Sequence, residues 1–466
     1  IADITLEQAR VVFPEASQLQ DAEPESPLRA VYRDGQPLGF VVLSSDLSPI
    51  PAYSGKPVSS LIGLTTDQRI SAISLVAHEE PILVIGLSDQ HLQQFLDQYR
   101  GQPINGRIAI GAYEREGYIG IDGISGATIT AMVLNRSVTK AAQQAAAILQ
   151  DLPPVDAGVT VDEDWLQLWQ QYPVRIGLLC TALLVLLLIL FFQDSLVRHP
   201  RLFRRVRVAY LLFTIVFIGF YALAQLSIIN ILAFIQVFAH GFSWNTLLIE
   251  PITFILWGFV ALSTILWGRG VFCGWLCPFG ALQELIHSAA GKLGVKSYAF
   301  PPLVHERLWA IKYIMLIILV GLSLDSLASA ALVAELEPFK TTFALALQRQ
   351  WWFVVYALSL LVISAFNSKF YCKYLCTLGA ALSFFTRFRI FDWLRRRKEC
   401  GNDCQTCASR CQIGAIKPTG EIIENECHYC LECQLNYWDD HTCPPLVDKR
   451  KRQEKREQRA GIIARD

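Results

Sequence analysis

Apolar positions along this chain fall into two regimes. Up to about residue 150 they come in short runs broken by Gly, Pro and Asp; beyond it they gather into long stretches. In the first regime Val31–Tyr32, Leu38–Leu43, Ile70–Val76 and Ile108–Ile110 predict short strands between turns. Gln90–Tyr99 and Ile129–Leu149 predict helices. The mixture predicts an α+β domain over residues 1–150. Asp151–Val161 reads as a linker, part of a connecting segment 151–173. There Trp165, Trp169 and Tyr172 gather as aromatics do at a membrane interface.

In the second regime five runs approach the roughly 20 apolar residues that cross a bilayer. They are Val174–Phe192, Val208–Leu226, Ile252–Trp267, Leu308–Leu327 and Trp351–Phe366. They predict a five-span helical bundle within a transmembrane domain, 174–390. Ile228–His240 is also apolar but bounded by Asn230, Gln236 and Gly241, which predicts an interfacial or re-entrant segment. A cysteine-rich region, 391–448, and a basic tail, 449–466, complete the chain. The fold class expected is a multi-domain membrane protein, and composition agrees. Hydrophobic residues make up 53% and mean hydropathy is +0.34, too apolar for an ordinary soluble protein.

Charge orients the bundle. Net charge is zero, but residues 1–150 hold sixteen acids against ten bases. Arg198, Arg201, Arg204, Arg205 and Arg207 crowd the first loop, and Arg269, Lys292, Lys296 and Arg307 the third. The second has no Lys or Arg. Positive loops stay inside, so the N-terminal domain is expected outside and the cysteine-rich region inside. Ile1 is not an initiator methionine, and a removed export signal is expected before it. The spans read as lacking charged residues, which argues against ion coupling. Phe384–Trp393 and Arg395–Lys398 read as an amphipathic basic connector at the membrane surface. Lys449–Arg459 reads as a solvated basic tail with weak attraction to anionic lipid.

Eight of the thirteen cysteines lie between Cys400 and Cys443. Cys400, Cys404, Cys407 and Cys411 are followed by Cys427, Cys430, Cys433 and Cys443. Three closely spaced cysteines and a distant fourth, twice over, are the pattern of a ferredoxin-type domain with two [4Fe–4S] clusters. Each outlying cysteine there ligates the other cluster. The sets expected are Cys400, Cys404, Cys407 and Cys443, and Cys427, Cys430, Cys433 and Cys411. Paired zinc sites are the alternative.

Two further motifs carry chemistry. Phe272-Cys-Gly-Trp-Leu-Cys-Pro-Phe-Gly-Ala281 mirrors Tyr371-Cys-Lys-Tyr-Leu-Cys-Thr-Leu-Gly-Ala380, and both are expected at the cytoplasmic face. Cys273, Cys277, Cys372 and Cys376 would suit a shared iron–sulfur, copper(I) or zinc site; the alternative is a thiol pair without metal. Cys180 is expected to be a packing residue. Earlier, Asp122-Gly-Ile-Ser-Gly-Ala-Thr128-Ile-Thr130 places small residues before a helix, where phosphate binds, although such residues also serve as ordinary caps.

Asp122, Ser125, Gly126, Ala127 and Thr128 resemble the flavinylation motif of FMN-binding domains in Rnf- and Nqr-type complexes. The resemblance implies covalent FMN on Thr128 through a phosphoester, with Thr130 the lesser candidate. It also implies attachment by a flavin transferase outside the cytoplasm. Ala52–Pro57 and His78–Pro81 resemble further parts of that domain.

The assembly resembles the NosR/NirI family, most specifically from Trp267 to Cys443. Trp267–Glu284, His305–Tyr313 and Glu337–Lys340 carry the likeness with the cysteine-rich region. It implies a bacterial inner-membrane protein of denitrification that passes electrons between cytoplasmic clusters and a periplasmic FMN. It further implies support of nitrous oxide reductase expression, maturation or activity. Family members carry a large exported region before the first span, where about two dozen residues stand here. A NirI-like redox sensor, a NapH-like quinol dehydrogenase using bound quinone, and a Rnf-like ion-pump subunit are the competing classes. No nucleophile–base pair and no DNA-binding motif stand out, which argues against a stand-alone catalyst or a direct nucleic-acid binder.

Overall fold

The computed structural model describes residues 4–21, 26–50, 57–78, 89–110, 117–124, 128–150, 169–170, 172–240, 251–325, 327–401 and 404–463. They form two units: residues 1–171, 229–251 and 319–336, and residues 172–228, 252–318 and 337–466.

In the first unit, β1 (Gln18–Leu19), β2 (Arg29–Arg33), β3 (Gln36–Leu43), β4 (Ser59–Thr65) and β5 (Ile70–Ala77) pair antiparallel in sequence order. Successive strand residues point to opposite faces, so Val41 and Leu61 meet α1 (Leu6–Val12), with Val12 and Phe13 in the same cluster. Val42 and Ile62 turn the other way. They join Phe95 and Leu96 of α3 (Asp89–Asp97) and Leu134 and Val138 of α4 (Thr128–Leu149). A single turn, α2 (Ser44–Leu47), follows β3. β6 (Ile108–Ile110) and β7 (Ile119–Ile121) pair in parallel.

The four predicted strands and both predicted helices are present. α1, β1, β4 and β7 are additional. β4 has Gly63 at its centre, a residue that weakens a strand pattern. Its reason is packing: a Cβ there would lie 2.0 Å from Val12 Cγ1.

The second unit is helical. α5 (Pro173–Phe191) matches the first predicted span. The second is α6 (Pro200–Phe213) running into a π-helical stretch, Thr214–Tyr221. After a break, α7 (Ile228–His240) follows, with its later part in the first unit. α8 (Pro251–Trp267), α10 (Pro302–Asp325) and α11 (Trp351–Phe366) occupy the remaining spans, and α9 (Pro278–Lys292) stands between α8 and α10. Pro173–Phe191 and Pro302–Leu324 are long and apolar enough to cross a membrane; Pro251–Trp267 and Trp351–Phe366 are shorter. Leu184, Leu188 and Phe191 on α5, and Ile314, Ile317 and Ile318 on α10, face outward, as suits a lipid solvent better than water.

Three sequence expectations change. The spans are not free of charge: Arg175, Lys312 and Asp325 lie within them. Arg175 stacks over Tyr172 and Tyr221, and Lys312 is fully buried. Cys180 is exposed rather than packed in protein. The connector after α12 (Phe370–Tyr374) and α13 (Thr377–Thr386) is not an amphipathic helix. Instead Phe391 and Trp393 stack on each other and pack against Trp267. The cysteine-rich region has no multi-residue strand among its described residues. It is built on two short helices, α14 (Thr406–Arg410) and α15 (Glu432–Trp438), before the basic α16 (Pro444–Ile463).

Candidate functional site

The eight tail cysteines line two sockets. Cys400, Cys404, Cys407 and Cys443 surround one, with Arg396, Arg397 and Tyr437. Cys411, Cys427, Cys430 and Cys433 surround the other, with Ile413, Ile416 and Leu431. The fourth member of each set comes from outside its three-cysteine run. Cys407 borders both sockets, so they are neighbours. Left-handed turns at Tyr429 (φ 49°) and Leu431 (φ 63°) curl the chain around Cys430. Backbone amides point at sulfur: Arg397 N–H at Cys400 Sγ (3.4 Å) and Tyr429 N–H at Cys427 Sγ (3.4 Å). Burial, then the neighbouring thiols, raises Cys430 to about 11 and Cys427 to about 12. Metal binding would therefore release protons.

The two Cys-x3-Cys motifs form a structural repeat. Cys277 and Cys376 are the N-caps of α9 and α13, with backbone angles near (−77°, 113°) and (−72°, 102°). Each sulfur accepts the N–H of the glycine three residues on, Gly280 at 3.4 Å and Gly379 at 3.2 Å. The halves interlock. Gln283, on α9, donates to Cys372 Sγ at 3.2 Å, and the Phe279 and Tyr371 rings meet edge to face at 5.5 Å. All four sulfurs are buried, and burial first, then mutual repulsion among the thiols, raises Cys277 and Cys376.

This repeat and the tail touch. A Cβ on Gly274 would meet the His428 carbonyl oxygen at 1.9 Å, and one on Gly270 the Cys427 carbonyl oxygen at 2.7 Å. Trp275 Nε1 donates to the Tyr429 carbonyl at 3.1 Å. The loop bearing Cys273 is thus seated on the loop bearing Cys427 and Cys430. Aligning the repeats, the second half has Lys369 and Lys373 where the first has Gly270 and Gly274. Burial lowers Lys373 to about 8, opposed by the Cys411 and Cys372 thiols, and its Nζ donates to Asn367 Oδ1 at 2.6 Å.

Buried ion pairs frame the contact. Arg269 and Lys312 share Glu426, with Arg269 Nη2 at 2.8 Å, and Tyr313 O–H donates to the other carboxylate oxygen at 2.8 Å. Arg207 and Lys369 share Glu284 at 2.7 and 2.8 Å. These partners, despite burial, hold Glu284 down at about 2. Each carboxylate thus faces two cations, leaving a surplus of positive charge in a buried site. Neutral thiols would leave that surplus uncompensated; a thiolate-bound cluster would balance it. Sequence reading counted Arg207 and Arg269 as loop charges and missed Glu284 and Glu426 as their partners.

Each of the three sets offers four soft thiolate donors, the donor set an iron–sulfur cluster takes.

In the first unit, Asp122 is pinned by Gln98, which accepts its N–H (2.7 Å) and donates to its carbonyl (3.1 Å). Thr128 opens α4, and Thr130 is buried. No acid stands in the first turn of α4, a composition that suits a phosphate at a helix N-terminus. Ser125, Gly126 and Ala127 lie outside the described residues, as do residues 52–56 and 79–81. His78 pairs with Asp89 at 3.1 Å.

Comparison with known proteins matches these regions to described families. A family model called NosR matches residues 398–454. A 4Fe–4S binding domain matches 249–296 and 349–399, taking in both Cys-x3-Cys motifs. An FMN-binding domain matches 53–143. The chain is 58% identical over 291 residues to Regulatory protein NosR of Pseudomonas aeruginosa, covering 62% of this chain and 41% of that one. It is 49% identical over 282 residues to Protein NirI of Paracoccus denitrificans, covering 60% and 41%. A second Pseudomonas aeruginosa sequence named Regulatory protein NosR is 60% identical over 85 residues, covering 18% of this chain and 85% of that one. The chain thus spans about two fifths of the length of the longer relatives.

Proposed function

The chain belongs to the NosR/NirI family, and from that premise we propose that it conducts electrons across the bacterial inner membrane. The route runs between cytoplasmic iron–sulfur clusters and a periplasmic FMN, in support of nitrous oxide reductase. When bound, the clusters supply single-electron transfer and the flavin couples one- to two-electron chemistry.

The chain's own residues do the rest. Cys400, Cys404, Cys407 and Cys443 hold one [4Fe–4S] cluster, and Cys411, Cys427, Cys430 and Cys433 a second. Cys273, Cys277, Cys372 and Cys376 hold a third, inside the helical unit. Gly270 and Gly274, having no side chain, let the second and third sets approach closely. Arg207, Arg269, Lys312 and Lys369 balance thiolate charge at buried positions. Thr128 carries the flavin phosphate, with Asp122, Ser125, Gly126 and Ala127 shaping the turn. Five helices separate the two compartments, with the sheet domain outside and the tail inside.

The observation that carries this reading is the seating of Gly274 on His428, between two cysteine sets. The word regulatory in the relatives' names favours a second use of the same relay, redox sensing that acts indirectly on gene expression. Anaerobic purification, with iron, sulfide and flavin analysis and mass spectrometry of the Thr128 peptide, tests the assignment. Iron for three clusters and flavin on Thr128 are expected. Iron for two clusters alone would remove the third, and a preparation with neither flavin nor cluster iron would overturn the whole.

A further inference from the structure

Gln283 is fully buried, and the structure uses all of its side chain. Its Oε1 accepts the Tyr371 N–H at 3.2 Å and lies 3.0 Å from Ser364 Oγ. A backbone N–H can only donate, so this contact fixes which end of the amide is oxygen. Nε2 is thereby turned toward Cys372 Sγ at 3.2 Å and the Phe279 carbonyl at 3.4 Å. The residue begins on the helix capped by Cys277 and ends on a sulfur of the other half.

The repeat has no second copy of this contact. Aligning Cys277 with Cys376 places Leu382 opposite Gln283, and leucine has no donor. The asymmetry follows the one already described, in which Lys369 and Lys373 stand where the first half has glycines. The first half is shaped to receive the tail loop; the second carries the positive charge and the side-chain donor.

We propose that Gln283 is a positioning residue that raises the reduction potential of the four-cysteine centre through its N–H···S bond to Cys372. The inference rests on the reading that these cysteines hold a cluster. Reduction adds negative charge that the thiolates share. A donor aimed at one sulfur strengthens its bond as that charge grows, favouring the reduced state. Neighbours of this kind, aimed at a ligand atom, tune metal centres generally.

The test is an EPR-monitored redox titration of the full chain, purified anaerobically, comparing wild type, Q283M and S364A. Q283M removes the donor. S364A loosens the Gln283 anchor without removing the N–H···S bond. In Q283M one of three signals is expected to shift to lower potential, with the two tail signals unmoved and iron content unchanged. S364A is expected to stay close to wild type. A Q283M titration superimposable on wild type, with iron retained, overturns the proposal; so does an S364A shift equal to that of Q283M, which would mark a merely structural role. Wild-type chain with iron for only two clusters would sink the cluster reading itself and this inference with it. If Q283M does not assemble, Q283L, which copies Leu382 at the matching position of the other half, removes the donor without adding charge, and the same two outcomes decide.

Discussion

The carbonyl oxygen of His428 lies so close to Gly274 that an added Cβ would stand 1.9 Å from it. No side chain fits between the loop bearing Cys273 and the loop bearing Cys427 and Cys430. Gly274→Ala must push these loops apart. Overpacking of this kind costs about 1–3 kcal/mol. The expected outcome is a lower melting temperature and faster loss of tail iron on warming. Melting and iron retention equal to wild type would contradict the close approach.

The proposed crossed ligation would make distant cysteines equivalent and neighbours different. Cys411→Ser should remove the same spectroscopic signal as Cys430→Ser, and Cys443→Ser the same signal as Cys404→Ser. Iron analysis with EPR of each variant checks this. If Cys411→Ser instead behaved like Cys407→Ser, ligation would follow sequence order and the socket assignment would be wrong.

Glu426 is buried and holds Arg269 and Lys312 together. Removing the shared partner of a buried pair typically costs about 3–5 kcal/mol, because the remaining charges stay unpaired. Glu426→Ala should therefore be among the most destabilising single changes, visible as a large drop in denaturation midpoint. Glu421→Ala, at an exposed pair with Lys417, should change little.

Glu337 gives a pH signature. It accepts bonds from Ser227 Oγ, the Ile228 N–H and Thr377 Oγ1, but among the described residues no cation pairs with it, unlike Glu284 and Glu426. Burial outweighs those bonds and raises it to about 7. The folded chain then holds a proton that the unfolded chain releases near pH 4.5. Stability should fall as pH rises from about 4.5 to 7, by on the order of 3 kcal/mol, and level off above. Glu337→Gln should flatten that part of the profile. Parallel profiles for variant and wild type would refute it.

How far the sequence could be read depended on the range of each signal. Cysteine spacing is local, and the two sets it predicts line the two sockets, with Cys407 bordering both. Short apolar runs between Gly, Pro and Asp turns foretold β2, β3, β5 and β6. β4 escaped because Gly63 answers to Val12, a residue remote in sequence. The docking of the tail escaped for the same reason: Gly270 and Gly274 carry no composition signal until the loop they face is known. Charge was the most misleading. Arg269 reads as a loop cation that orients the bundle, yet it is wholly buried against Glu426, more than 150 residues away in sequence. Lys312 lies in a run read as free of charge, and it completes the same pair.

Electron passage from tail to flavin through the four-cysteine centre is tested most directly in sealed proteoliposomes. The full chain is inserted with its tail outward, and a membrane-impermeant reductant is added outside. FMN absorbance should bleach in wild type, while Cys372→Ser, with both tail clusters retained, should leave the flavin oxidised. Bleaching at the wild-type rate in Cys372→Ser, or none in wild type, would contradict the account.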